Sequence, residues 1–221
     1  MSEFTRILIF QCNKLGREAV LVLTFDDSKT PGIYHTVFPT AFKVTAFGPE
    51  GAQQFMVTYK SQLGFTRAQI DGGTVVPAST YTPINVGQKT ILTKKSVPAI
   101  EIYSFSNPED ITPPTGQMVA QNSTDGKENI GVGFFASPDD RPYQILVFEG
   151  VASGSSVQSE FTPILGGYIT ADYKENAVLR GQISTPLLFK EDLVQLPQLT
   201  YWELEYNAAS GTYAIKRDLT G

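Results

Sequence analysis

Two stretches of this 221-residue sequence match each other when the chain is shifted by 103 positions. The pattern glycine-aromatic-x-x-alanine occurs at Gly64–Ala68 and again at Gly167–Ala171. In the same register Thr82-Pro83-Ile84 falls on Thr185-Pro186-Leu187. Turn residues and apolar character therefore stay in phase along the alignment, as they do when a structural unit has been duplicated. This repetition predicts two similar halves.

A two-residue change of register extends the match to an earlier pair of apolar runs, 42–47 and 143–148. The glycines that follow them, Gly51 and Gly154, return to the original offset. We therefore expect residues 42–84 and 143–187 to form equivalent strand-turn units. Gly64 and Gly167 are predicted to occupy matching turns.

Short runs of β-branched and aromatic residues predict strands throughout the chain. With 19 Gly and 14 Pro spread over the sequence, long helices have little room. Residues 52–63 match either a helix or a strand, and the Val57-Thr58-Tyr59 content favours a strand. One helical turn is predicted within 190–196. The predicted strands are 6–10, 19–25, 42–47, 55–59, 99–105, 131–135, 143–148 and 201–206.

The predicted fold is all-β, a pseudo-twofold β-sandwich or barrel-like arrangement of two similar halves. The halves are residues 1–106 and 130–221, packed as one globular unit. The segment 107–129 between them carries three prolines and few apolar residues, so it is predicted as an inter-repeat loop. Loops of that length are either connections or functional elements such as lids, and both interpretations stay open.

The charge and cysteine content narrow the class of protein. A net charge of −5 disfavours a nucleic-acid partner, since phosphate contacts need a concentrated Lys/Arg surface. No apolar stretch reaches the length that spans a bilayer, so no membrane partner is expected. Cys12 is the only cysteine and excludes an intramolecular disulfide. Together with an N-terminus that lacks a signal-peptide core, this favours a cytoplasmic location.

The sequence carries no recognisable catalytic motif. His35 is the only histidine, so any histidine-dependent triad would have to use it, and no Gly-x-Ser-x-Gly elbow is present. Cys12 is predicted to be a buried inert thiol. One cysteine and one histidine do not supply a typical zinc ligand set. We therefore expect a protein that is not an enzyme.

Acidic loops are the remaining metal candidates. Asp26-Asp27, Asp139-Asp140 and the segment 125–128 offer carboxylates of the kind that calcium accepts. No EF-hand spacing is present, and aspartate is also a common turn residue that bonds its own backbone. Turn chemistry is the favoured interpretation, and no metal is predicted.

Aromatic residues make up 11% of the chain, including ten tyrosines. Most must pack in the core, but some are suited to line a pocket for a flat ligand. Four near the repeat landmarks are predicted to bind such a ligand in a cleft between the halves. His35 joins them because it lies in an insertion that breaks the symmetry. The predicted ligand-binding residues are His35, Tyr59, Phe65, Tyr168 and Trp202.

The acidic, β-rich chain with the stretches Phe161–Ala171 and Leu199–Tyr206 resembles the pink chromoproteins of oyster mushrooms, a group of basidiomycete fungal proteins. The resemblance is in size and general character over the whole chain and includes no diagnostic motif. It implies a small aromatic chromophore held non-covalently. No binding residue of that family transfers to a numbered position here.

The predicted function is non-catalytic binding of a small apolar or aromatic ligand, with a pigment as one candidate. The alternative is a cytosolic fungal lectin or defence protein that binds carbohydrate, since sugar sites also combine Tyr/Trp faces with Asp/Asn loops. A small molecule is the only predicted partner, and the sequence does not predict an oligomeric state.

Overall fold

The computed structural model describes residues 3–136 and 141–218, and strands supply nearly all of the regular structure there. The one helical element in those ranges is a 3₁₀ turn, Leu193–Gln195, inside the segment predicted to hold a helical turn. Each predicted strand overlaps an observed one, and residues 52–60 form a strand rather than a helix. The all-β prediction is therefore confirmed.

The strands are short and number twenty in the described ranges. In chain order they are β1 (Thr5–Asn13), β2 (Ala19–Thr24), β3 (Val37–Pro39), β4 (Ala41–Phe47), β5 (Ala52–Lys60), β6 (Leu63–Arg67), β7 (Gln69–Asp71), β8 (Thr74–Val76), β9 (Tyr81–Ile84), β10 (Gln88–Val97), β11 (Ile100–Phe105), β12 (Glu109–Asp110), β13 (Met118–Asn122), β14 (Glu128–Phe134), β15 (Tyr143–Val151), β16 (Ser156–Ser159), β17 (Ile164–Ile169), β18 (Leu187–Asp192), β19 (Leu199–Asn207) and β20 (Thr212–Asp218).

Four larger sheets and one small hairpin organise these strands. Sheet I has the order β20-β19-β1-β5, and sheet II has the order β11-β10-β13-β16 with β12 beside β10. Sheet III has the order β3-β15-β14-β6-β9, and sheet IV has the order β18-β17-β2-β4. β7 pairs with β8 alone. No sheet closes on itself within the described part of the chain.

Sheets I and II have the same pairing pattern, although they draw on opposite parts of the chain. In sheet I, β1 pairs antiparallel with β5 and parallel with β19, which forms a hairpin with β20. In sheet II, β13 pairs antiparallel with β16 and parallel with β10, which forms a hairpin with β11. Each sheet therefore joins strands from before and after residue 106.

Sheets III and IV correspond in the same way. In sheet III the antiparallel pair β14–β15 lies beside the pair β6–β9. In sheet IV the pair β2–β4 lies beside the pair β17–β18. Here too, each sheet combines strands from the two parts of the chain.

Alternating burial explains how the sheets enclose a core. In β19 the side chains of Thr200, Trp202 and Leu204 are buried, while Glu205, which follows Leu204, is exposed. Period-two alternation of this kind places one face of a strand on the core. The main hydrophobic cluster includes side chains from both parts of the chain, such as Phe65 and Trp202. A shared core, rather than an open cleft, therefore fills most of the space between the predicted halves.

The glycines that mark the repeat fall into two groups. Gly51 and Gly154 lie in the turns before β5 and β16 and both have φ of +79°, a left-handed conformation that favours glycine. Gly64 and Gly167, predicted at matching turns, instead lie inside β6 and β17. A Cβ at Gly64 would be 2.6 Å from Phe135 Cε2, and one at Gly167 would be 2.1 Å from Phe189 Cε1. These two glycines are required by close aromatic packing rather than by a turn.

The segment 107–129 differs from the predicted inter-repeat loop. It contains β12, β13 and the first residues of β14. Met118 and Ala120 of β13 are fully buried and alternate with less buried neighbours, so a weak apolar pattern still builds a core strand. The Asn122 side chain donates to the carbonyl oxygens of Gly126 and Val151, both at 2.8 Å. These bonds fix the segment to the body of the protein.

Candidate functional site

A cavity of about 410 Å³ lies where the ends of several sheets meet. Its lining comes from β5 of sheet I, β6 and β9 of sheet III, β10 and β12 of sheet II, and the link that leads into β17 of sheet IV. Small-molecule pockets span roughly 300–1,000 Å³ and occur where structural units join. Size and position therefore make this cavity the candidate ligand site.

Tyr59 contributes a buried aromatic ring to the cavity wall. Only 2% of the residue is exposed, and its ring packs against Phe134, Phe4 and Phe25 at centroid distances of 4.7, 5.9 and 6.0 Å. Its hydroxyl makes no hydrogen bond to any residue in 3–136 or 141–218, although buried tyrosine hydroxyls usually find a partner. This leaves one donor free beside the cavity.

The Tyr59 hydroxyl is held in its neutral form. Burial raises the pKa of Tyr59 well above its usual range, and the negative charge of Asp192 raises it further. The positive charge of Arg6 opposes this increase only in part. A neutral phenol is both a donor and an acceptor, so Tyr59 is able to bond a ligand at any ordinary pH.

One wall of the cavity is apolar. Phe161 and Pro163 contribute it from the link before β17, and Leu63 and Ile84 complete it from sheet III. The Phe161 ring lies 5.6 Å from Phe25 in an edge arrangement, which connects the wall to the aromatic core. Apolar and aromatic surfaces of this kind bind the flat part of a ligand.

A polar part of the cavity wall comes from the link between β5 and β6. Ser61 Oγ accepts a hydrogen bond from the Phe4 amide at 2.8 Å, so its own hydroxyl hydrogen is not used in that bond. Gln62 Nε2 donates to the carbonyl oxygen of Leu63 at 3.0 Å. The two links therefore face the same cavity with opposite chemistry.

Two carboxylates, Glu3 and Asp110, lie at the mouth, and no Lys or Arg lines the cavity. Asp110 Oδ1 accepts from Gln88 Nε2 at 3.0 Å, and Gln88 Oε1 accepts from the Asn85 amide at 3.0 Å. This chain of bonds orients the Asp110 carboxylate without neutralising its charge.

The segment before β1 forms a side of the cavity and is tied down at both ends. The Ser61 amide donates to the Phe4 carbonyl oxygen at 3.0 Å. The Arg6 guanidinium lies 4.4 Å from the Phe4 ring centroid and donates to the carbonyl oxygens of Leu193 and Val194 at 2.8 and 3.0 Å. Arg6 thus joins the N-terminal segment to the 3₁₀ turn beside the cavity mouth.

The structure does not bring the five predicted ligand-binding residues together. Only Tyr59 lines the cavity. Phe65 and Trp202 are buried in the main core, because they point to the inward face of β6 and β19. Tyr168 belongs to a second hydrophobic cluster, and His35 is exposed in the insertion between β2 and β4.

Tyr168 and the insertion that carries His35 do meet, at a carboxylate. Asp26 Oδ2 accepts from the Tyr168 hydroxyl at 2.7 Å and from the Tyr34 hydroxyl at 3.1 Å. Burial, followed by the neighbouring Asp26, raises the pKa of both tyrosines. The three polar groups satisfy one another, so this cluster fixes the insertion against sheet IV.

The other acidic candidates are engaged in ion pairs. Asp27 pairs with Lys190 at 2.7 Å, Asp125 with Lys94 at 3.1 Å, and Glu128 with Arg67 at 2.7 Å. Asp139 and Asp140 lie outside the described residues. Within the described ranges, no three His, Cys, Asp or Glu side chains are grouped so that they could hold a metal ion.

Cys12 is buried in β1. Burial, then the negative charge of Glu203, raises the pKa of its thiol, and a backbone hydrogen bond from Gln53 opposes this only partly. A thiol with a raised pKa forms little thiolate and reacts poorly. Its surroundings therefore agree with a structural role.

Sequence reasoning missed Phe161, Ser61 and Asp110 as cavity residues. Ser61 and Phe161 lie in the links that precede the strands β6 and β17, which the repeat aligns with each other. The repeat could therefore have predicted that the two links have corresponding positions. Asp110 had no such signal, because it lies in a segment predicted to be irregular.

No protein-family profile, curated protein or solved structure matches this chain. In the described ranges, no helix has the length and apolar character needed to cross a membrane.

Proposed function

We propose that the protein binds a small apolar or aromatic molecule, without catalysing a reaction on it, in the cavity between Tyr59 and Phe161. The apolar wall would cover the flat face of the ligand, and the polar wall would fix its orientation. Each aromatic contact would add about 0.5–1.5 kcal/mol beyond the area buried.

The observation that carries this proposal is the free hydroxyl of Tyr59. Within the described ranges the hydroxyl has no protein partner, and its oxygen is not one of the fully buried atoms, so a ligand in the cavity is able to reach it. Here the residue is 2% exposed, yet it borders a cavity of about 410 Å³. A ligand with a polar atom at that point would satisfy the hydroxyl.

The matching patterns of strand pairing support a finer description of the fold, a pseudo-twofold arrangement of two duplicated units. In it β1 corresponds to β13, β5 to β16 and β6 to β17, since each pair of strands has equivalent partners. The links 61–62 and 160–163 then occupy corresponding places, and both line the cavity. A pocket where duplicated units meet, with unlike walls, suits one asymmetric ligand.

The resemblance to the pink chromoproteins points to a pigment as the bound molecule, held non-covalently as a small aromatic chromophore. The cavity has the aromatic wall and the volume for such a molecule. The direct test is the absorption spectrum of protein purified from its native source, followed by denaturation and analysis of the released compound. A colourless protein that releases no small molecule would contradict the pigment proposal.

Binding at this cavity is tested with three variants and one ligand, the compound released from the native protein. Tyr59→Phe should weaken binding about 2- to 12-fold, the effect of one hydrogen bond, while the fold is retained. Tyr81→Phe removes a hydroxyl from an exposed tyrosine outside the cavity and serves as the matched control. His35→Ala should also leave affinity unchanged, because His35 lies outside the cavity. Equal affinities of the Tyr59→Phe variant and the unaltered protein would place the ligand elsewhere.

Carbohydrate binding, as in a lectin or defence protein, is the second candidate. A shallow surface depression combines Tyr103 with Gln69, Ser79 and Glu101, a lining typical of sugar sites. However, the Arg67 guanidinium lies 3.6 Å from the Tyr103 ring centroid and covers one face of the ring. We therefore rank it below the cavity. Saturable binding of colourless protein on a glycan array, abolished by Tyr103→Ala, would reverse the order.

The cytoplasmic location and the absence of nucleic-acid and membrane partners stay predictions from the sequence. An acidic net charge of −5 and a single buried cysteine support them. Fractionation of native cells with an antibody to the protein is the measurement that decides the location.

A further inference from the structure

We propose that the cavity selects a flat aromatic molecule with a hydrogen-bond acceptor at its inner end and a positively charged nitrogen at its outer end. This inference rests on the proposed function, because it assigns the chemical class of the ligand to the same cavity. It follows from which polar groups at the two ends of the cavity already form hydrogen bonds or ion pairs within the protein and which do not.

At the inner end, the free groups are hydrogen-bond donors. The Tyr59 hydroxyl has no partner within the described ranges and belongs to a residue that is 98% buried. The Ser61 hydroxyl oxygen already accepts from the Phe4 amide at 2.8 Å, which leaves its hydrogen to donate. A carbonyl or ring nitrogen of the ligand would accept from these hydroxyls.

At the outer end, the free charges are negative. Glu3 and Asp110 line the mouth, and in residues 3–136 and 141–218 neither forms an ion pair. Arg6 and Lys60 line a neighbouring depression together with Glu3 and partly balance its charge, but no basic side chain lines the cavity itself. Arg6 binds the carbonyl oxygens of Leu193 and Val194, and Lys89 pairs with Glu109 at 3.7 Å. Asp110 therefore has no basic partner within the cavity lining.

Carboxylates at a partly apolar opening that no basic side chain lines attract cations and repel anions. Gln88 strengthens the selection, because its bond to Asp110 Oδ1 at 3.0 Å holds that carboxylate in place. A ligand ammonium at the mouth would gain a charge-assisted bond, whereas a ligand carboxylate would meet two like charges. The expected order of affinity is cation, then neutral molecule, then anion.

The test uses three naphthalene probes that share a 6-acetyl group as the inner acceptor and differ only at the outer end, namely 6-acetyl-2-naphthylmethylamine, 6-acetyl-2-naphthalenemethanol and 6-acetyl-2-naphthoate. Each is titrated calorimetrically into the full chain at pH 7, at low and at high salt. The amine should bind about 3- to 10-fold more tightly than the alcohol at low salt, with the advantage shrinking as salt screens the carboxylates. The naphthoate should bind more weakly than the alcohol.

Two variants assign the preference to the mouth. Asp110→Asn keeps an acceptor for Gln88 and should reduce amine binding about two- to fivefold, the range for one exposed ion pair, while leaving alcohol binding unchanged. Asp71→Asn makes the same change of charge at an exposed residue that lies outside the cavity lining, and it should leave both affinities unchanged. Tyr59→Phe should weaken binding of the alcohol, since the acetyl carbonyl oxygen of the probe accepts from the hydroxyl at the inner end.

The outcomes separate the two proposals. If the alcohol binds and Tyr59→Phe weakens it, but the amine has no advantage or Asp110→Asn does not reduce it, the charge selection is wrong and the ligand site stands. If none of the three probes binds, the cavity does not accept flat aromatic molecules and both proposals fall. If Asp71→Asn acts like Asp110→Asn, the preference reflects net charge rather than the mouth, and the inference is overturned.

Discussion

Tyr59 and Trp202 are both 2% exposed, and neither the Tyr59 hydroxyl nor Trp202 Nε1 forms a hydrogen bond in the described ranges, but only the Trp202 atom is fully buried. Their surroundings differ. Trp202 packs against Phe10 and Phe189, at centroid distances of 6.0 and 4.8 Å, and these two rings also contact each other at 5.7 Å. Tyr59 borders a cavity of about 410 Å³. An unpaired polar group in a packed core is only a cost, whereas the same group beside free volume is a binding group.

The largest expected effect separates these regions by stability. Trp202→Ala should lower the free energy of unfolding by about 3–5 kcal/mol, because it empties a packed site beside two rings. Trp202→Phe should cost far less, since it keeps an aromatic ring and removes the unpaired indole N–H. Urea denaturation of both variants gives the values. A loss below about 1.5 kcal/mol for Trp202→Ala would show that this region is not tightly packed.

The next prediction tests packing without removing any side chain. Gly167→Ala places a methyl group 2.1 Å from Phe189 Cε1, beside Trp202, and should cost about 1–3 kcal/mol through overpacking. Gly181→Ala is the matched control, because a Cβ there meets no atom within 4 Å, and it should change stability by less than about 0.5 kcal/mol. Equal stabilities of the two variants would contradict a close contact between β17 and Phe189.

The smallest expected effect is on the pH dependence of stability and concerns Tyr59, the residue that borders the cavity. Burial raises the pKa of Tyr59, so the folded protein keeps this proton at a pH where an unfolded tyrosine, with a pKa near 10, loses it. The contribution to stability is therefore complete below about pH 10 and is lost as the pH rises further. In Tyr59→Phe, the fall of stability above pH 10 should be less steep than in the unaltered chain. Identical slopes in urea denaturation between pH 8 and 11 would show that Tyr59 ionises freely in the folded protein.

Much of the fold was predictable, because strand periodicity and turn residues are local signals. The runs at 19–25 and 143–148 became core strands, and the residues that alternate in β19 point as their pattern predicts. Gly64 and Gly167 were predicted as a matching pair at turns. The sequence does not distinguish a glycine that a neighbouring ring requires from one that a turn requires. Only the spatial position of Phe135 and Phe189 distinguishes the two cases.

The candidate site was predictable only in part. Tyr59 was selected for its wide ring near a repeat landmark, and so were Phe65 and Trp202, yet only Tyr59 faces a cavity. Which aromatic rings remain uncovered depends on how the ends of the sheets meet, and no local pattern encodes that. Asp110 illustrates the same limit, since a two-residue strand brings it to the mouth from a segment with little apolar character.

The parallel pairing of β1 with β19 has a consequence for how the chain reaches its folded form. Ile7 lies opposite Leu199, so the pairing of β1 with β19 cannot form until almost the whole chain has been synthesised. Pairings between residues so distant in sequence make folding slow. They also interlock the molecule: cleavage of the backbone between β11 and β13 would leave two fragments that share every larger sheet. Such fragments would remain associated and unfold together, as one cooperative unit.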